Sequence, residues 1–137
     1  MSDPFTVDVP VRYRDLDTLN HVNHAVYATY LETARIDYFE SLLEEKPQDL
    51  SYVVANLEIS YERPITRSDE PTVATWVSEL GETSCTMRYE IRTDDDVAAT
   101  AETTMVYVDP ETVQPAPVPD DVRTRIETSE NLDAAAE

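Results

Sequence analysis

Asn23-His24-Ala25-Val26-Tyr27-Ala28-Thr29-Tyr30-Leu31-Glu32-Thr33-Ala34-Arg35-Ile36-Asp37-Tyr38-Phe39-Glu40-Ser41-Leu42-Leu43-Glu44-Glu45 carries its apolar residues at helical spacing. Tyr27, Tyr30, Leu31, Ala34, Tyr38 and Leu42 recur every three or four positions and form one broad face. No proline intervenes before Pro47, so the pattern predicts a single long, mostly buried helix over 23–45. On either side the period falls to two. Upstream, Phe5, Val7, Val9, Val11 and Tyr13 alternate as in a half-buried strand over 5–14, until Asp15-Leu16-Asp17-Thr18-Leu19-Asn20 breaks the alternation with turn formers. Downstream, further strands are predicted over 52–62, 72–80, 84–92 and 97–108. The joints are Arg63-Pro64 to Pro71, Gly81-Glu82-Thr83 and Asp94-Asp95-Asp96.

In the stretch 84–92, Cys85, Met87, Tyr89 and Ile91 share one face and Thr86, Arg88, Glu90 and Arg92 the other, which suits an antiparallel sheet covered on one side. The small residues Ala98, Ala99 and Ala101 leave room for a helix to pack closely. Beyond the proline-rich segment 110–119, Asp120-Asp121 heads a short helical stretch over 122–127, and 128–137 reads as an acidic, frayed tail. The order strand, turn, long helix, four strands gives one α+β domain over 1–127, a five-stranded antiparallel sheet wrapped on one long central helix. An isolated sheet of this size has open edges, and pairing with a second copy would close one of them, so a homo-oligomer is expected.

Composition narrows the partners. The 137 residues include 29 acidic and 10 basic ones, for a formal charge of −19. Such a chain is unsuited to nucleic acid, whose phosphates demand cations, and to an anionic membrane surface. With 41% hydrophobic residues it still has the material for a core. Lys46 is the only lysine, and the acids spread along the whole chain, a pattern that suggests adaptation to high salt. A single cysteine, Cys85, and the lack of a leader-like N-terminus point to a reducing, cytoplasmic setting.

Chemistry-bearing residues concentrate in Arg12-Tyr13-Arg14-Asp15-Leu16-Asp17-Thr18-Leu19-Asn20-His21-Val22-Asn23-His24, just before the helix, which holds both histidines of the chain. A turn that opens a helix presents unpaired N–H groups able to polarise a carbonyl oxygen. A carboxylate beside them can attack that carbonyl or deprotonate a water. Each residue also has a plainer reading: Asp17 or Asn23 as a cap, Asp15 as an anchor for Arg12 or Arg14, His21 as a loop-stabilising hydrogen bonder. His21 and His24 beside two aspartates invite a metal reading, but no other residue supports it. Glu32 and Arg35, one turn apart, read as an intrahelical ion pair. Cys85 reads as a core thiol.

At this stretch the sequence resembles the hot-dog-fold thioesterases of the 4-hydroxybenzoyl-CoA thioesterase-like branch. The similarity rests on Asp15-Leu16-Asp17, Asn20-His21-Val22-Asn23-His24, Tyr27 and Glu32-Thr33-Ala34-Arg35, and continues through Tyr61-Glu62-Arg63-Pro64, Ser68-Asp69-Glu70 and Met105-Val106-Tyr107-Val108-Asp109. Two positions depart from the pattern: Asn20 replaces its usual glycine and His24 its second asparagine. The resemblance implies an acyl-CoA thioesterase that needs no cofactor or metal, coenzyme A being part of the substrate, and that assembles as a homodimer or homotetramer. It assigns Asp17 as nucleophile or general base, with His21 and Asn23 as catalytic-loop partners. Backbone N–H groups at His24 and Ala25 become the oxyanion site, and Glu32 a reserve carboxylate. Tyr27 and Arg63 are candidate substrate contacts, and Arg67, Arg88 and Arg92 further candidates for the coenzyme A phosphates. A non-catalytic acyl-CoA or acyl-carrier-protein binding module and a hot-dog enoyl-CoA hydratase are the alternatives.

Overall fold

The computed structural model describes residues 4–43 and 51–130. Its elements run β1 (Phe5–Asp8), a 3-10 turn (Tyr13–Asp15), α1 (Val26–Leu43), β2 (Tyr52–Tyr61), β3 (Thr72–Leu80), β4 (Ser84–Thr93), β5 (Asp96–Tyr107) and α2 (Asp120–Glu130). The strands form one antiparallel sheet in the order β1-β3-β4-β5-β2, with β1 and β2 at the edges. This is the expected α+β arrangement of a five-stranded sheet wrapped on a long helix.

Local chemistry explains where elements stop. β1 ends at Asp8, short of the expected strand over 5–14. The Val9 amide turns to Pro71 O (3.0 Å), and Pro10 has no N–H with which to continue the ladder. The Asp94-Asp95 tip joins β4 to β5 as a two-residue loop, with Asp94 at φ 55°, a conformation aspartate tolerates. The face Cys85, Met87, Tyr89 and Ile91 is buried as its alternation predicts.

α1 buries Tyr27, Tyr30, Leu31, Ala34, Tyr38 and Phe39 and packs chiefly on β1, β3 and α2. Ala98 and Ala99 of β5 are fully buried in the same core cluster as these α1 residues. Positions 44 and 45 of the expected helix lie outside the described residues. The C-terminal helix is longer than expected. Asp120 and Asp121 sit in its first turn, where the helix dipole favours them, and it continues through Thr128, Ser129 and Glu130 instead of fraying at 128. Glu130 accepts hydrogen bonds from Tyr38 Oη (2.6 Å) and from the Val77 amide (2.8 Å), beside the bulge between Val77 and Glu79. Burial, reinforced by that carboxylate, pushes the Tyr38 phenol well above its ordinary range. Residues 131–137 of the expected tail lie outside the described residues.

Candidate active site

The segment between the 3-10 turn and α1 is a closed loop. Leu16 and Val22 form an antiparallel bridge, Asp17 N donates to His21 O (2.7 Å), and Asn20 N donates to Asp17 O (3.1 Å). Asn20 takes φ 62°, the left-handed conformation that lets it stand where the resembling family carries glycine. The loop is tied to the rest of the molecule by Val22 N to Ile65 O (2.8 Å), by a His21–Thr66 bridge and by Asn23 N to Asp15 O (2.8 Å).

The two aspartates have different surroundings. Asp15 is buried, and its Oδ2 accepts from the Arg12 amide (2.8 Å) and from Tyr30 Oη (2.9 Å). It is an anchor, as its plainer reading held, but the groups it holds are a backbone N–H and a phenol, neither of them a guanidinium. Asp17 lies at the rim. Its Oδ1 accepts from the Leu19 amide (2.8 Å) and the His21 amide (3.1 Å), while its Oδ2 accepts no bond among the described residues. Those two amides, Leu19 first, hold the Asp17 carboxyl below the usual carboxylate range. The result is an ionised group clamped through one oxygen and open at the other.

The helix start is organised by Asn23, whose Oδ1 accepts from the Ala25 amide (2.9 Å). Asn23 is thus a cap, and the Ala25 N–H named for the oxyanion site already has a partner. The His24 amide donates to no group among the described residues, so it remains the available donor. Its carbonyl accepts from Tyr61 Oη (2.9 Å), and the Tyr61 ring meets those of His24 and Tyr27 edge to face, at 6.2 and 4.9 Å. Tyr61 therefore links the end of β2 to the helix start.

Several expected contacts lie elsewhere. Tyr27 is buried behind Tyr61, and burial raises its phenol. Arg63 pairs with Asp96, Arg88 with Glu102 and Arg92 with Glu90, each a cation taken up by a carboxylate from the sheet or its hairpin tip. Glu32 and Arg35 do not pair. Arg35 turns inward to Tyr89 Oη (3.3 Å), with its Nε unpartnered among the described residues, whereas Glu32 stays exposed. Both line an open groove of about 280 Å³ between α1 and β2, together with Ala28, Leu31, Val54 and Leu57. Among the described residues no three His, Cys, Asp or Glu side chains group as metal ligands, and no helix is long and apolar enough to cross a membrane.

A family profile described as the thioesterase-like superfamily matches residues 11–126. The chain belongs to the thioesterase-like superfamily. Among curated proteins, the long-chain acyl-CoA thioesterase FadM of Escherichia coli (strain K12) is 31% identical over 124 residues, which cover 87% of this chain and 94% of FadM. Among solved structures, a thioesterase of Thermus thermophilus complexed with coenzyme A and Zn is 37% identical. It superposes with a TM-score of 0.88 over 96% of this chain and 97% of that one. A DHNA-CoA thioesterase from Staphylococcus aureus shares the fold, with a TM-score of 0.85 at 23% identity over 96% of this chain and 94% of its own. The superfamily match covers the Asp17 loop, α1 and the whole groove.

Proposed function

We propose that this chain is an acyl-CoA thioesterase that hydrolyses a thioester to a carboxylic acid and coenzyme A, with Asp17 as its catalytic carboxylate. The observation that carries the reading is the asymmetric hold on Asp17: Oδ1 is clamped by the Leu19 and His21 amides and Oδ2 accepts no bond among the described residues, in the loop that leads into the helix start where the His24 amide is available. FadM and the coenzyme A complex from Thermus thermophilus support the substrate class.

In this mechanism the His24 N–H polarises the thioester carbonyl as negative charge develops on its oxygen. Asp17 Oδ2 either removes a proton from the attacking water or attacks the carbonyl carbon itself. In the first route the C–S bond breaks, the thiolate of coenzyme A departs and takes up a proton, and water supplies the new acid oxygen; in the second, Asp17 Oδ2 displaces the thiolate to form a mixed anhydride, which a water then hydrolyses to the free acid and the restored Asp17 carboxylate. A single turnover in heavy-oxygen water tests the second route, since label in the protein arises only when water opens the anhydride at the Asp17 carbonyl, the acid then leaving with an Asp17 oxygen. The backbone of His21 fixes the loop and Asn23 fixes the helix start.

The reading includes a homo-oligomer formed through β2. That edge strand is ten residues long and exposes Val53, Val54, Leu57 and Tyr61, whereas the opposite edge, β1, has only four residues. A second copy on β2 would wall the groove in which the acyl group lies. Leu57→Arg is expected to yield a folded monomer in sedimentation.

Release of free thiol from a panel of acyl-CoAs tests the central reading. Turnover of at least one acyl-CoA is expected. Tight binding with no thiol released would identify a binding module, and hydration of an enoyl-CoA without thiol release would identify a hydratase.

A further inference from the structure

The arginines of this acidic chain have distinct fates. Arg63, Arg88 and Arg92 are ion-paired, Arg125 reaches the Leu42 and Leu43 carbonyls, Arg123 the Gly81 and Glu82 carbonyls, and Arg35 is buried against Tyr89. Arg12, Arg14 and Arg67 are exposed and make no ion pair among the described residues, although the chain carries 29 acidic residues. All three are linked to one residue, Tyr13, by sequence or by contact. Arg12 and Arg14 bracket Tyr13 in the 3-10 turn that leads into the Asp17 loop, and the Arg67 guanidinium stands 5.2 Å from the centre of the Tyr13 ring.

The neighbouring carboxylates are already engaged. Asp15 holds the Arg12 amide and Tyr30, and Asp69 accepts from the Thr66 amide (2.8 Å) and hydroxyl (3.1 Å). Tyr13 itself is 76% exposed, although it is a large aromatic side chain. An exposed ring with one guanidinium beside it and two more arginines flanking it in sequence, none of the three ion-paired among the described residues of a chain of net charge −19, has the chemistry of a site for an anion that carries a flat base.

Building on the thioesterase reading, we propose that Arg12, Arg14, Arg67 and Tyr13 dock the nucleotide end of coenzyme A. The guanidinium groups take its phosphates, and the open face of the Tyr13 ring takes its adenine. Tyr13 is four residues from Asp17, so the two lie at most about 14 Å apart along the chain, a span that the flexible pantetheine arm can bridge. The site also gives a polyanionic substrate a local cationic anchor on a surface that repels it at long range.

The test compares an acyl-CoA with the pantetheine thioester of the same acyl group, which lacks the nucleotide, in the Arg14→Ala/Arg67→Ala double variant and in Tyr13→Leu. In the double variant the KM for the acyl-CoA is expected to rise by about tenfold with kcat held, and that for the pantetheine thioester to change by less than about twofold. Tyr13→Leu should show the same split more weakly. Equal effects on both thioesters, or no effect on the acyl-CoA, would overturn the proposal. If wild-type protein hydrolyses neither thioester, the catalytic reading fails by itself, and calorimetric binding of coenzyme A decides the site. A loss of about tenfold in affinity in the double variant supports it, and unchanged affinity overturns it.

Discussion

Replacing Asp15 with alanine should cost the protein its stability before its chemistry. The carboxylate is 9% exposed, and its Oδ2 accepts from the Arg12 amide at 2.8 Å and from Tyr30 Oη at 2.9 Å. Hydrogen bonds to a charged acceptor contribute about 1.5–3 kcal/mol each, and the substitution also strands the buried Tyr30 hydroxyl. Against this stands the relief of removing a carboxylate from a buried position, so a net loss of about 2–4 kcal/mol follows. At roughly 3–4 °C per kcal/mol for a domain of this size, the melting temperature should fall by about 6–16 °C. Circular-dichroism melts of wild type, Asp15→Ala, Tyr30→Phe and the double variant provide the assay. Because the residues share a bond, Tyr30→Phe should cost less in the Asp15→Ala background than alone. Additive losses, or an Asp15→Ala melt within about 2 °C of wild type, would refute the anchoring role.

Two other predictions concern titration and reactivity. Since the Leu19 and His21 amides depress the folded-state value for Asp17, its catalytic form is lost only as pH falls through that lowered value. The acid limb of kcat/KM that belongs to Asp17 should therefore lie below the ordinary aspartate value of about 3.9. A limb at roughly pH 6–7 that persists in both His21→Ala and His24→Ala would contradict this. Cys85 is buried, and burial, helped by the Glu130 charge, pushes its thiol up to about 12. Iodoacetamide should leave the native enzyme active at about pH 8, and Cys85→Ala should retain turnover. Stoichiometric inactivation by alkylation of the folded protein would reverse that assignment.

Period and turn chemistry made most of the fold legible. The helical spacing of Tyr27, Tyr30, Leu31 and Ala34 located α1, and the strict alternation from Cys85 to Ile91 located β4 and its buried face. The strand expected through Arg14 failed because apolar alternation continues past Pro10, where the ladder cannot. The length of α2 was hidden for another reason: what holds its last turn, Glu130 against Tyr38 and Val77, is a tertiary contact that no local pattern reveals.

The site divides in the same way. The Asp17 loop stood out because its polar residues cluster in sequence, and the positive φ of Asn20 followed from residue type. The separate duties of Asp15 and Asp17, by contrast, depend on Tyr30 and on backbone amides whose direction is set only once the loop closes. Glu32 and Arg35 have the spacing of an ion pair, yet burial of Arg35 against Tyr89 separates them. Tyr61 is distant in sequence from His24 and gave no local signal of the bond that joins them.

Asp17→Asn tests the catalytic assignment most directly, because the carboxamide keeps an oxygen for the Leu19 and His21 amides while removing the open carboxylate. Thiol release from the best acyl-CoA should fall by about a hundredfold or more, within the range that general-base catalysis supplies, with a melting temperature within about 2 °C of wild type. Undiminished hydrolysis by a folded Asp17→Asn protein would contradict the account.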